Sequence, residues 1–116
     1  MSVTIYHNPR CSKSRQTLEL LTEKGIEPEI VKYLDEAPSV ETLKTLYKQL
    51  GLSNVRDMMR TKEDDYKALN LGDASVTDEA LFEAMVSHPK LLERPIVVAN
   101  GKARHGRPPE QVLEIL

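Results

Sequence analysis

An α/β fold built on one mixed sheet is predicted by three features of the 116-residue chain. A short β-favouring run, Val3 to Tyr6, passes through the turn signal Asn8-Pro9 into helical spacing, and a second β-rich run follows Gly25. Strand, helix and strand in that order make a βαβ unit with parallel strands. Near the other end, IVVA at 96–99, the hairpin dipeptide Asn100-Gly101 and Lys102 to His105 read as two antiparallel strands. Between these pieces residues 39–88 carry helical patterning. A chain of this length is about one domain, so residues 1–116 are expected to form a single domain with a helical insertion at about 39–88.

Each element has a local reason. In the first helix Leu18 and Leu21 share one side with Leu20 beside them, and Gly25, just past the last periodic position, ends it. Ile26 to Leu34 is the expected second strand, with Ile30, Val31 and Tyr33 inside it and a turn at 35–38. Ser39 suits an N-cap, Glu41 the first turn, and Val40, Leu43, Leu46, Tyr47 and Leu50 recur at helical spacing until Gly51. Val55, Met58 and Met59 suggest a short helix, and Lys62 to Leu69 another. Thr77 can cap a further helix, with Asp78 and Glu79 at its positive end, Leu81, Phe82, Met85 and Val86 on its buried face, and Pro89 stopping it at Ser87 or His88. Pro108 suits the first turn of a last helix carrying Val112, Leu113 and Leu116. The order β α β, helical block, β β α is the thioredoxin-like arrangement, in which a βαβ and a ββα unit share a mixed sheet. Fold alone does not assign a function.

Composition removes several classes. With 16 Lys and Arg against 18 Asp and Glu, the net charge of −2 gives no general attraction to nucleic acid or to an anionic membrane. No apolar run approaches the ~18 residues of a membrane span, and the N-terminus lacks the pattern of a signal peptide, so a cytoplasmic location is expected. With one Phe and no Trp the core must be mainly aliphatic. One cysteine cannot form an internal disulfide, and one cysteine with three scattered histidines predicts no metal.

That cysteine, Cys11, falls where the first strand hands over to a helix N-terminus. Unpaired main-chain N–H groups and the positive end of the helix dipole favour a thiolate there. Arg10, Lys13 and Arg15 push the same way, and HNPRCSKSR has no apolar residue besides Pro9 and the cysteine, which argues against burial. A dithiol motif is denied by Ser14 at the third position after Cys11. A phosphatase-type loop is denied by Thr17 at the sixth, and His7, His88 and His105 match no protease pattern. A single activated thiol remains. Arg60, Arg94 and Arg107 each lie at the edge of a predicted element, from which side chains can converge on a helix N-terminus. Guanidinium forks pair with an oxyanion through parallel hydrogen bonds and neutralise it for attack by a thiolate.

His7-x-x-x-Cys11-x-x-x-Arg15 within TIYHNPRCSKSR, MMR at Met58 to Arg60, RPIVV at Arg94 to Val98 and RP at Arg107-Pro108 together closely resemble the glutaredoxin-coupled arsenate reductase family. The resemblance covers nearly the whole chain. It implies that Cys11 attacks arsenate, that Arg60, Arg94 and Arg107 bind the oxyanion, and that His7 and Arg15 support the thiolate electrostatically. It further implies that Ser14 donates a hydrogen bond to the sulfur and that the peptide bond before Pro95 is cis. No bound cofactor is implied; glutathione is the co-substrate that resolves the adduct, glutaredoxin the partner that reduces the mixed disulfide, and arsenite the product. The chain departs from well-known members at Ser12-Lys13, where they carry a glycine and a small polar residue, and it ends soon after the last expected helix. Two other readings share the fold. An Spx-type regulator bound to RNA polymerase has no need of three downstream arginines, and a general glutathione-dependent thiol reductase would keep its activity in Arg60→Ala.

Overall fold

The structure, a computed structural model, describes residues 2–116. The chain divides into two compact units, Ala37–Glu93 and the flanking stretches that end at Glu36 and resume at Arg94.

The flanking stretches build the sheet. Strand β1 (Val3–Tyr6), helix α1 (Ser12–Glu23) and strand β2 (Glu29–Val31) form the βαβ unit. Strands β3 (Ile96–Ala99) and β4 (Lys102–His105) form the hairpin. The order across the sheet is β2-β1-β3-β4, parallel between β1 and β2 and antiparallel elsewhere. Asn100 and Gly101 take φ of 55° and 75°, the two positive values that a tight two-residue hairpin turn requires. Val3 and Ile5 on β1, Leu21 on α1, Val97 and Ala99 on β3, and Val112 and Ile115 near the C-terminus make one aliphatic core. This is the thioredoxin-like combination expected from the sequence.

Two of its elements differ from expectation. The second strand is three residues long rather than spanning Ile26 to Leu34. The Ile26 N–H reaches back to Leu21 O at 3.0 Å and the Gly25 N–H to Thr22 O at 3.0 Å, so Ile26 completes the C-terminal cap of α1 with Gly25 at φ 76°. At the other end the N–H groups of Asp35 and Glu36 both turn back onto Lys32 O. The last helix is a 3-10 segment, Pro109–Ile115, preceded by Pro108. Its buried residues, Pro109, Val112 and Ile115, recur every three positions, matching the three residues per turn of that helix, and Leu113 faces out.

The inserted unit is helical. Helix α2 (Val40–Leu50) is capped by Ser39, whose Oγ accepts from the Thr42 N–H at 3.1 Å, and it ends at Gly51 with φ 70°. A 3-10 turn at Val55–Met58 and the five-residue helix α3 (Asp64–Ala68) are tighter and shorter than the spacing suggested. Helix α4 (Asp78–Ser87) is capped by Thr77 and leads into a 3-10 turn at Pro89–Leu91. Leu43 and Leu46 on α2 are buried, as are Leu81, Phe82 and Met85 on α4, and Tyr47 meets Phe82 edge to face at 6.0 Å. Among the described residues no helix is long and apolar enough to cross a membrane.

Candidate active site

The register of the sheet brings one set of residues to one of its edges. Tyr6 pairs with Ile96, and Ile96 pairs with His105. The chain therefore leaves β1 toward Cys11 at the same end of the sheet where Arg94 enters β3 and Arg107 leaves β4. The Gly106 N–H extends the hairpin by bonding Pro95 O at 3.0 Å. The peptide bonds Arg94-Pro95 and Arg107-Pro108 are both cis. Gly106 sits where an added Cβ would collide with Thr17 Oγ1 and meet Pro95 Cγ at 2.8 Å, so the backbone runs close against α1 at this point.

Cys11 is the N-cap residue of α1, with extended φ and ψ of −93° and 123°. A tight turn delivers it there. Asn8 Oδ1 accepts the Arg10 N–H at 3.0 Å, Asn8 O accepts the Cys11 N–H at 3.0 Å, and Cys11 O accepts the Arg15 N–H to start the helix. Arg107 Nη1 lies 3.9 Å from Cys11 Sγ and donates to Arg94 O at 3.1 Å.

The expectation that polar neighbours keep the thiol exposed is overturned, since Cys11 is only 9% exposed. Its polar neighbours fold inward with it: His7 is 6% exposed, and Ser14 and Thr17 are fully buried. Burial is the largest influence on the thiol and pushes its pKa up. It is outweighed by the Ser14 main-chain N–H, the charge of Arg94, the Lys13 main-chain N–H and the Arg107 guanidinium, so the pKa falls below the ordinary thiol value. No cap hydrogen bond of ordinary geometry joins the neutral thiol to the helix. The first-turn N–H groups favour the thiolate electrostatically all the same, as a helix N-terminus does.

The other expected site residues take different places. His7 Nδ1 is 2.8 Å from Ser14 Oγ, and its pKa is lowered by burial first and then by the charges of Lys32 and Arg15. Those influences disfavour a positive charge on the ring. Ser14 Oγ also accepts the Asn8 N–H at 3.0 Å, so it is the main-chain N–H of Ser14 that acts on the sulfur, while its hydroxyl is bound on the opposite side by His7 and Asn8. Arg15 Nη1 donates to Pro9 O at 2.9 Å, bracing the turn. Arg60 belongs to the inserted unit, where its N–H bonds Leu91 O at 2.7 Å and its guanidinium is paired with Glu63.

The main-chain N–H groups expected at this helix end are those of Lys13 and Ser14, whereas the partners Asn8 and Glu63 were not singled out. Asn8, which holds the turn, sits in an Asn-Pro pair that signals a turn without saying which groups it joins. Glu63 was legible, because a carboxylate three residues after an arginine is within pairing reach at helical spacing.

The model of the ArsC family matches residues 6–115 of the chain. The uncharacterized protein YfgD of Escherichia coli (strain K12) is 65% identical over 114 residues, covering 98% of this chain and 96% of that one. An arsenate reductase of Haemophilus influenzae is 55% identical over 116 residues and the whole of both chains. Among solved structures, an arsenate reductase from Vibrio cholerae shares 70% identity and a TM-score of 0.99, covering 100% of this chain and 98% of that one.

Proposed function

The chain belongs to the ArsC family, and from that premise we propose that it is an arsenate reductase in which Cys11 is the nucleophile. The reading is carried by one observation: Arg107 Nη1 stands 3.9 Å from a buried cysteine whose pKa is lowered, with the charge of Arg94 acting on the same sulfur. Relatives at 55% and 70% identity carrying the name arsenate reductase support it.

In the proposed reaction an arsenate oxyanion is drawn to Arg94 and Arg107, which offset the repulsion between two anions. The Cys11 thiolate forms a bond to arsenic, and the displaced oxygen leaves as water after taking up protons. Arsenic(V) then needs two electrons. With a single cysteine in the chain, they come from Cys11 or an external thiol together with a further thiol, and the sulfur pair ends as a disulfide. Glutathione is the proposed external thiol and glutaredoxin the partner that clears the glutathione disulfide, regenerating Cys11 and freeing arsenite. Arg60 is proposed as an additional oxyanion ligand on the resemblance of its MMR motif. Its Glu63 partner would then compete with arsenate for the guanidinium, so Arg60→Ala should lower kcat/KM for arsenate by about tenfold or more and Glu63→Ala should lower KM.

The test is arsenite formation with glutathione and glutaredoxin supplied. Wild type should turn over and Cys11→Ser should not. No arsenite above background from wild type would refute the reading. Equal turnover with thioredoxin in place of glutathione and glutaredoxin would leave a reductase but correct its partner.

A further inference from the structure

Thr17 enters the sequence only as the residue that denies a phosphatase-type loop, yet it stands at a close approach between two parts of the site. It lies on α1, the helix that Cys11 caps, and is fully buried. Its Oγ1 is 2.8 Å from Lys13 O and 3.5 Å from Gly106 O. A threonine hydroxyl carries one hydrogen, and the nearer carbonyl takes it. The approach to Gly106 is therefore one of shape. A Cβ on Gly106 would collide with Thr17 Oγ1 and meet Thr17 Cγ2 at 3.0 Å, so the Thr17 side chain fills the room that a side chain at 106 would need.

Arg107 follows Gly106 directly. The Gly106 N–H bonds Pro95 O at 3.0 Å and Arg107 Nη1 donates to Arg94 O at 3.1 Å, which ties this segment twice to the stretch entering β3. Those ties fix Arg107 relative to the hairpin. Its place relative to the helix carrying Cys11 is a separate matter, and a contact with that helix is made where Gly106 rests on Thr17. Interiors are close-packed, so a change in the bulk of one buried side chain is felt by the chain beside it. We propose that Thr17 is a positioning residue for Arg107, a spacer on α1 whose bulk sets how the Gly106-Arg107 backbone lies against the helix and so keeps Arg107 Nη1 at 3.9 Å from Cys11 Sγ. Attraction between charges weakens with separation. A retreat of this segment would therefore cost a thiolate part of its support, while Arg94 and the first-turn N–H groups of α1 would still act on the sulfur.

The inference rests on the reading of Cys11 as a thiolate supported by Arg107, and one experiment separates the two. The rate at which iodoacetamide alkylates the full chain, followed against pH, has its midpoint at the pKa of the only cysteine. Arg107→Ala should raise that midpoint by about one pH unit; no rise would overturn the thiolate reading and the spacer role with it. Thr17→Ala, which removes the bulk, should raise the midpoint by about half a unit. Thr17→Val, which keeps the branched shape and loses the hydroxyl, should leave it at the wild-type value. Combined with Arg107→Ala, Thr17→Ala should move it no further. Where Thr17→Ala does not fold, Gly106→Ala takes its place, crowding the same contact from the other side with the same expected rise. With the Arg107→Ala rise in hand, a midpoint unmoved by the alanine variant overturns the spacer role alone, even if the melting temperature falls. So does an equal rise in Thr17→Val, or a shift that persists without the guanidinium.

Discussion

At the scale of single residues, the thiolate of Cys11 is decided by a contest that the sequence shows only in part. The helix end and the nearby basic residues were legible, because a strand, an Asn-Pro turn and a helical pattern follow one another within twenty residues. Which cations act was not. Arg10, Lys13 and Arg15 are the neighbours in sequence, yet the side-chain charges that lower the thiol pKa are Arg94 and Arg107, brought in by the hairpin. Arg15 is spent on the Pro9 carbonyl. Burial of Cys11 was misread for a related reason: polar residues that satisfy one another, as His7, Ser14 and Asn8 do, can go inside without apolar character. The lowered pKa is also a statement about stability. The native state prefers the thiolate, so its contribution is fully present above the pKa of the unfolded thiol and is lost as pH falls through the lower native value. The melting temperature of wild type relative to Cys11→Ser, measured under reducing conditions, should therefore rise as pH is raised from mildly acidic to alkaline. A difference that stays constant or falls would contradict the electrostatics assigned to the site.

At the scale of elements, strong local chemistry was readable and marginal elements were not. Ser39 and Thr77 cap α2 and α4 as their side chains suggested, and the Asn100-Gly101 turn joins β3 to β4. β2 was overextended because Ile26 looks like a strand residue but closes the helix before it, a choice made by Gly25 and the hydrogen bond to Leu21. The final segment was read with the wrong period: Val112 is buried as expected, Ile115 three positions on is buried with it, Leu113 faces out, and Leu116 is only partly buried against the same core. The hairpin matters most to function, since its register sets Arg94 and Arg107 side by side at the end of the sheet. Gly101→Ala places a side chain at φ 75° and should cost about 1–2 kcal/mol, seen as a lower urea midpoint. A midpoint unchanged from wild type would show that the turn does not hold this register. Nothing lies within 4 Å of the missing Cβ, so the cost is one of backbone conformation and not of crowding.

At the scale of the molecule, the order of elements was enough to anticipate a thioredoxin-like sheet, because a βαβ unit and a hairpin at opposite ends of a chain can complete one sheet, here by pairing β1 with β3. Their pairing, Val3 to Ala99 through Tyr6 to Ile96, closes the chain over some ninety residues of sequence and places Cys11 from the N-terminal part beside Arg107 from the C-terminal part. The inserted unit was legible as helices, and its Arg60–Glu63 pair shows how a cation singled out by motif can already be engaged. The central claim is that Cys11 attacks an oxyanion as a thiolate sustained by Arg94 and Arg107. It is tested most directly by the pH dependence of kcat/KM for arsenate, whose acid limb reports the ionisation of the free enzyme's nucleophile. Wild type should show an acid limb below the ordinary thiol range, displaced to higher pH and reduced in height by Arg107→Ala; an acid limb that Arg107→Ala leaves in place would rule out a thiolate sustained by that guanidinium.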